Sequence, residues 1–389
     1  VLDAPAHHCF NTGYGKKILR AGTLPAPIRA LPWSMLATVM AITTFGLVTL
    51  YSAAGGHLAP WATNQAVRFA VLFAGMLVLS RVSVATWKQH AYTFYAITLA
   101  LLLLVELFGH IGMGAQRWID LGIIRLQPSE FMKLAVVLSV ARFYDTVPPG
   151  FISRPGVLII PVALVAVPAG LVMLQPDLGT AMMITIAGTT MIFLAGTKMR
   201  WFIGAGAIVG ALLPVAWGLL HDYQKNRILI FMDPESDPLG TGYHLSQSKI
   251  AIGSGGIFGK GFLQGTQSHL KYLPETHTDF IFSTMTEEWG MMGGLFVLLA
   301  YGYLVRWALN LGFDGKSMFA RLVAAGLAMT LFLYVSINIA MVMGLAPVVG
   351  IPLPLLSYGG SAMMTVLILL GILMSIHRER FQTRHIGGL

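Results

Sequence analysis

The chain alternates between long apolar runs and short polar breaks, not between single apolar and polar positions. Ten runs come near the roughly 20 residues that an α-helix needs to cross a bilayer. They cover about 33–52, 66–80, 91–109, 129–145, 156–173, 177–196, 201–220, 289–308, 319–345 and 362–377. Alternating segments of the kind a membrane barrel uses are missing from the sequence. The pattern therefore predicts an all-α polytopic membrane protein of about ten transmembrane helices, with one long polar loop over about 221–288. Only 11% of residues are charged and 56% are hydrophobic, where a soluble domain carries roughly 25% charged residues. That balance excludes a soluble enzyme and a disordered chain. The single cysteine, Cys9, excludes an internal disulfide. Residues 1–30 lack an apolar h-region and hold several Pro and Gly, so they read as a tail and not as a cleaved signal peptide. No short tandem repeat is readable.

Lys and Arg in short loops set orientation. One side receives Lys16, Lys17, Arg20 and Arg29, then Arg81, Lys88, Arg142, Arg154, Lys198 and Arg200. It also receives Arg306, Lys316, Arg321, Arg378, Arg380 and Arg384, which makes sixteen of the 25 basic residues. Both termini are therefore expected in the cytoplasm, with the 221–288 loop outside. The net charge of +9 is thus mostly a topology signal, and nucleic acid is not an expected partner. Acids gather on the outer side. Half of the 16 fall between 222 and 288, and Glu130 and Asp177 stand at outward helix starts.

Three outward features share one design. Gln127-Pro128-Ser129-Glu130 opens the fourth span, with Pro at the first helical position and an acid in the first turn. Lys133 follows Glu130 at i+3, so the two pair on one helix face, and a purely structural ion pair is the favoured reading of them taken alone. Gln175-Pro176-Asp177-Leu178-Gly179-Thr180 repeats the design at the sixth span, where Asp177 reads equally as an acid that satisfies the helix dipole. The third feature runs from Pro347 through Gly350, Pro352 and Pro354 into Leu355-Leu356-Ser357-Tyr358-Gly359-Gly360-Ser361. It is broken helix at membrane depth, tolerated where it is buried in protein or lines a wet cavity. The three are expected to converge on the outer side, where helix N-termini favour an anion.

Residues 110–127 are too short and polar to span and are expected at the interface or re-entrant. Within them Trp118 reads first as an interfacial anchor, and Arg117 as a grip for phosphate. Glu106, near the outer end of the third span, is an intramembrane acid and so a functional candidate, or a snorkelling one. The long loop exceeds ordinary connections, and loops of that size tend to be functional. Its residues 243–252 predict a short interfacial helix. Gly259-Lys260-Gly261 fails the nucleotide-loop pattern, and Asp233, Glu235 and Asp237 lack the Gly and terminal Glu of a calcium loop. Asp279 differs from the other acids. It lies between Thr278 and Phe280-Ile281-Phe282 at the return into the membrane. Partial desolvation there raises a carboxylate pKa and suits a general base. The competing reading is an N-cap for the next helix.

These segments, together with Asn226-Arg227, Asp233–His244, Gln247–Gly256, Leu273–Phe282 and Asn338–Ser361, resemble the SEDS family (shape, elongation, division and sporulation). The resemblance runs from about 33 to 380. It divides the chain into a cytoplasmic tail (1–32), a SEDS transmembrane domain (33–380, including the 221–288 loop) and a second cytoplasmic tail (381–389). Asp233-Pro-Glu-Ser-Asp-Pro-Leu-Gly, Met374-Ser375-Ile376-His377 and the short C-terminal tail favour the elongation branch over the division branch.

The resemblance implies a fold similar to GT-C-type glycosyltransferases. It implies a peptidoglycan glycosyltransferase that polymerises lipid II into glycan strands at the outer face of the bacterial cytoplasmic membrane. The implied partners are a class B penicillin-binding protein and other elongation-complex proteins. It implies that Asp279 is the essential carboxylate and that Glu130 and Lys133 form a functional pair. Arg117, Trp118, Asp177 and Arg227 match outward-cavity positions, and Ser357 and Tyr358 belong to the cavity-shaping segment. Arg227, Arg117, Lys133 and Arg68 are the candidates to stabilise a leaving diphosphate. A divalent cation, Mg or Mn, would assist there, but no ligand set for one is readable. A lipid II flippase and a non-catalytic scaffold for the penicillin-binding protein are the alternatives.

Overall fold

The computed structural model describes residues 31–108, 110–112, 115–120, 125–219, 222–233, 237, 240–269 and 276–386. The N-terminal tail lies outside them. From Pro32 onward the described residues belong to one compact unit. Its membrane helices are α1 (Trp33–Ala53), α2 (Trp61–Leu79), α3 (Val84–Phe108), α4 (Pro128–Thr146), α5 (Pro155–Leu174), α6 (Leu178–Leu194) and α7 (Met199–Leu219). After the long loop come α11 (Ile281–Phe313), α12 (Met318–Val342) and α13 (Gly360–Ile386). Among the described residues seven helices are long and apolar enough to cross a membrane, and α6 and much of α7 are shorter apolar helices. The remaining predicted span, 129–145, is α4. The loop itself holds α8 (Asp222–Met232), α9 (Thr241–Ser254) and α10 (Thr266–His269). α9 extends the predicted 243–252 helix at both ends.

α4 and α12 form the centre. α4 is buried on nearly every side, so its Glu130 and Lys133 lie in the core beside its apolar residues. α12 packs against α4, α6 and α11, and α13 packs against α2. By contrast α7 is exposed along most of its length, as a lipid-facing helix is.

Two elements differ from the sequence expectation. Residues 110–112, 115–120 and 125–126 form a small antiparallel ribbon, β1 (His110–Gly112), β2 (Ala115–Asp120) and β3 (Arg125–Leu126), in the order β1-β2-β3. Trp118 faces His110 across it, and Ile119 faces Leu126. Ile and aromatic residues favour strands, and the segment is too short to show a period. The second difference is the end of the long loop. α11 begins at Ile281, eight residues before the predicted run at 289–308, so Glu287 and Glu288 are not loop acids. They are buried inside the helix.

Their burial has a local cause. α11 is interrupted at Gly290, whose φ of 64° and ψ of −160° are non-helical. Residues 255–261 supply the backbone partners that the break removes. Lys260 N and Gly261 N donate to Glu287 O and Glu288 O, while Met291 N and Met292 N donate to Gly256 O and Ile257 O. A Cβ on Gly259 would lie 2.0 Å from Glu288 O, and one on Gly290 2.3 Å from Gly259 N. The Glu287 carboxylate accepts from Lys260 Nζ at 2.6 Å, Thr266 N and Thr266 Oγ1 at 2.9 Å, and Gln267 N at 3.1 Å. A buried charge held by this many donors is tolerated. The long loop is thereby fixed to the half-helix that carries Asp279 at its entrance.

Candidate functional site

The two Pro-acid helix starts and the broken 347–361 segment meet. Gln127 Nε2, at the start of α4, donates to Asp177 Oδ2 at 3.0 Å. Asp177 Oδ1 accepts from Thr180 N at 3.1 Å, so Asp177 is the side-chain N-cap of α6. A Cβ on Gly179 would lie 3.1 Å from both Val349 and Ile351, so α6 opens directly against the broken 347–361 segment. That segment also meets Asp279, because a Cβ on Gly350 would lie 3.4 Å from Asp279 Oδ2. Asp279 is half-buried. The N-cap of α11 is Phe280, one residue beyond Asp279.

The broken segment is held in an uncommon conformation. Leu355 is fully buried and has φ +70°, a region that costs a bulky residue on the order of 1–3 kcal/mol. Its neighbours over-determine the turn. Ser357 Oγ accepts from Leu353 N at 2.8 Å, and Ser357 N donates to Leu353 O at 2.8 Å. Gln65 Nε2 on α2 donates to Ser357 O at 2.8 Å, and the Tyr301 hydroxyl on α11 donates to Pro354 O. Ser357 is buried, and its hydroxyl staples the turn. Tyr358 N donates to His277 O at 2.8 Å, which ties the segment to the Asp279 loop. The His277 ring stacks on Trp61 with centroids 4.2 Å apart.

The cation candidates fall in different places. Lys133 is 2% exposed, bonds Glu130 Oε1 at 2.6 Å and lies 4.1 Å from the centre of the Tyr334 ring. Its charge is matched inside the core. Arg117 donates through Nε to Gln175 O at 3.0 Å and through Nη2 to Pro176 O, and so clamps the turn before α6. Trp118 beside it is half-buried on β2. Arg227 is half-buried on α8, in the long loop. Arg68 is exposed on α2, seven residues and thus about 10 Å past the helix start. Its guanidinium lies 4.9 Å from the centre of the Tyr358 ring, and Nη1 would lie 3.7 Å from a Cβ on Gly360, at the start of α13. Among the described residues no carboxylate pairs with it. An intramembrane cation of this kind is a functional candidate. Glu106 is exposed on α3. Among the described residues no three His, Cys, Asp or Glu side chains group to hold a metal.

Sequence reasoning missed four participants: Trp61, Gln65, Tyr334 and Asn338. Asn338 Nδ2 donates to Asp279 O at 2.9 Å and to Ile351 O at 2.7 Å, and the Tyr334 hydroxyl donates to Glu130 Oε2. An amide in the middle of an apolar helix was the readable signal for Asn338.

Residues 32–382 match the family model of the FtsW/RodA/SpoVE cell cycle proteins. The chain belongs to this family. Similar members of the FtsW/RodA/SpoVE family include the peptidoglycan glycosyltransferase MrdB of Escherichia coli strain K12, 44% identical over 350 residues, or 89% of this chain and 93% of that protein. The probable peptidoglycan glycosyltransferase FtsW of Trichlorobacter lovleyi is 36% identical over 359 residues, 88% of this chain and 92% of that one. Among solved structures, a chain of a peptidoglycan synthase complex that coordinates polymerization and crosslinking aligns with a TM-score of 0.79 and 32% identity. That alignment covers 91% of this chain and 99% of the other. The rod shape determining protein RodA of Thermus thermophilus aligns with a TM-score of 0.68 and 30% identity, over 91% and 98% of the two chains.

Proposed function

We propose that this membrane protein is a peptidoglycan glycosyltransferase of the elongation type, which polymerises lipid II into glycan strands. The match to curated relatives with that name supports the activity. The observation that carries the site is Asp279, half-buried with its carboxylate against Gly350, where α4, α6 and the broken segment converge.

In this reading Asp279 takes the proton from the 4-hydroxyl of the acceptor sugar. That oxygen forms a bond to the anomeric carbon of the growing chain. The bond from that carbon to the lipid diphosphate breaks, and the diphosphate leaves with the electron pair. Attack from the face opposite the leaving group inverts the anomeric centre. A single carboxylate suffices because the donor is already activated. Charge developing on the diphosphate needs donors that are in place beforehand. Arg68 suits that role best, because among the described residues no carboxylate pairs with its guanidinium, which lies over the Tyr358 ring. Lys133 and Arg117 then act by holding the scaffold.

The active face is extracytoplasmic and both termini are cytoplasmic, as the basic loops require. The chain works with a class B penicillin-binding protein, which crosslinks the strand this protein makes. The similarity to a chain from a complex that couples polymerization and crosslinking supports that partner. Residues 1–32 and 381–389 are the cytoplasmic tails of the 33–380 transmembrane domain.

The test supplies labelled lipid II to the purified protein in complex with a penicillin-binding protein whose transpeptidase is inactive. Polymer is the expected product. Absence of polymer from a folded complex, with lipid II moving between vesicle leaflets instead, would replace this reading with that of a flippase.

A further inference from the structure

Tyr334 and Asn338 stand one helical turn apart on α12, so their side chains share a face. Both are fully buried. The Tyr334 hydroxyl bonds Glu130 on α4, and its ring lies under Lys133 Nζ. Asn338 uses both hydrogens of one amide nitrogen. One goes to the carbonyl of Asp279 and the other to the carbonyl of Ile351. Ile351 follows Gly350, the residue that the Asp279 carboxylate faces. One amide therefore fixes both sides of the gap in which that carboxylate sits.

We propose that Tyr334 and Asn338 are positioning residues, which make α12 a strut from the Glu130–Lys133 ion pair to Asp279. The proposal rests on the polymerase reading, in which Asp279 is the base.

The ion pair is too deep to touch a substrate, at 5% and 2% exposure for Glu130 and Lys133. Buried pairs contribute little net stability, and their best-attested use is to fix register. Here the register is that of α12 against α4. Rotation or sliding of α12 would break the bond from Tyr334 to Glu130, and Asn338 would carry the same displacement to the backbone of Asp279. A misplacement of about 1 Å far from the chemistry costs about 10²-fold in rate. The bland alternative is that each residue only satisfies its own buried neighbours. It predicts lost stability and two independent effects.

The experiment uses the full chain in complex with its penicillin-binding protein. Tyr334→Phe keeps the ring beneath Lys133 and removes the hydroxyl. Asn338→Leu removes both donors at similar volume. The strut predicts that each lowers kcat about tenfold with KM within about twofold. It predicts that the double variant is no slower than Asn338→Leu alone, because the connection is already cut. It also predicts faster amide hydrogen exchange over residues 276–282 in Tyr334→Phe, although the lost hydroxyl bonded a residue on another helix. Multiplicative losses in the double variant, or unchanged exchange over 276–282, would overturn the strut. Should Asn338→Leu not fold, Asn338→Ala takes its place in the cycle, since it also removes both donors and adds no bulk. The exchange arm needs no turnover. A wild type that makes no polymer would therefore defeat the polymerase reading while the strut is still read from exchange.

Discussion

Gly350 and Asp279 meet closely enough that a Cβ on Gly350 would stand 3.4 Å from Asp279 Oδ2, and Gly350 itself has φ +71°. The positive φ favours glycine. A side chain in the left-handed region is strained by about 1–2 kcal/mol, and its β-carbon would rest in contact with the carboxylate. Gly350→Ala is expected to lower the rate of polymerisation several-fold more than it lowers the thermal midpoint would suggest. Turnover and melting measured on the same preparation check this, and a rate loss that simply tracks unfolding would contradict it.

Arg117 and Lys133 are spent on Gln175, Pro176 and Glu130, whereas among the described residues no carboxylate pairs with Arg68. Arg68→Ala is expected to reduce turnover by about 10²-fold, the scale for a lost charge-stabilising donor. Arg68→Lys should keep only part of the rate, because a point charge does not reproduce the planar fork. Steady-state polymerisation with the two variants checks this, and equal rates for alanine and wild type would remove Arg68 from the site.

Glu130 and Lys133 form a pair inside the core. Lys133→Met alone leaves an uncompensated buried carboxylate and is expected to cost about 3–5 kcal/mol of stability. Glu130→Gln combined with Lys133→Met should recover much of that loss. Thermal melts of the two single variants and the double in detergent measure the coupling. A double variant as unstable as the sum of the singles would show that the two do not compensate each other.

The break in α11 rests on close backbone approach. Gly259→Ala would place a Cβ 2.0 Å from Glu288 O, whereas nothing lies within 4 Å of one on Gly253, earlier in the same loop. Gly259→Ala is expected to abolish the monodisperse protein peak, and Gly253→Ala to leave it intact. Size-exclusion chromatography of both decides.

Most of the membrane architecture was legible because run length is a strong signal when each helix must satisfy its own backbone. The exception is instructive. Glu287 and Glu288 made residues 281–288 read as loop, yet Lys260 and the backbone of Thr266 and Gln267 neutralise Glu287 inside the helix. That compensation comes from residues about 20–27 positions away and leaves no local pattern. The ribbon at 110–126 was missed for a different reason, since its strands are two to six residues long. At the site, Pro and acid at helix starts announced the convergence of α4 and α6. The roles of Arg117 and Ser357 were not legible, because both bond backbone carbonyls or amides distant in kind from what their side chains suggest. Tyr334 looked like any aromatic in an apolar span until its hydroxyl was placed on Glu130.

The proposed mechanism stands on the Asp279 carboxylate. Asp279→Asn keeps the shape of the side chain and removes the base. Wild type and Asp279→Asn would be given labelled lipid II side by side, each in complex with the transpeptidase-inactive partner and each checked for folding. Polymer from the wild type and none from Asp279→Asn is the predicted result. Polymer from both at similar rates would contradict the assignment and leave an enzyme whose base lies elsewhere.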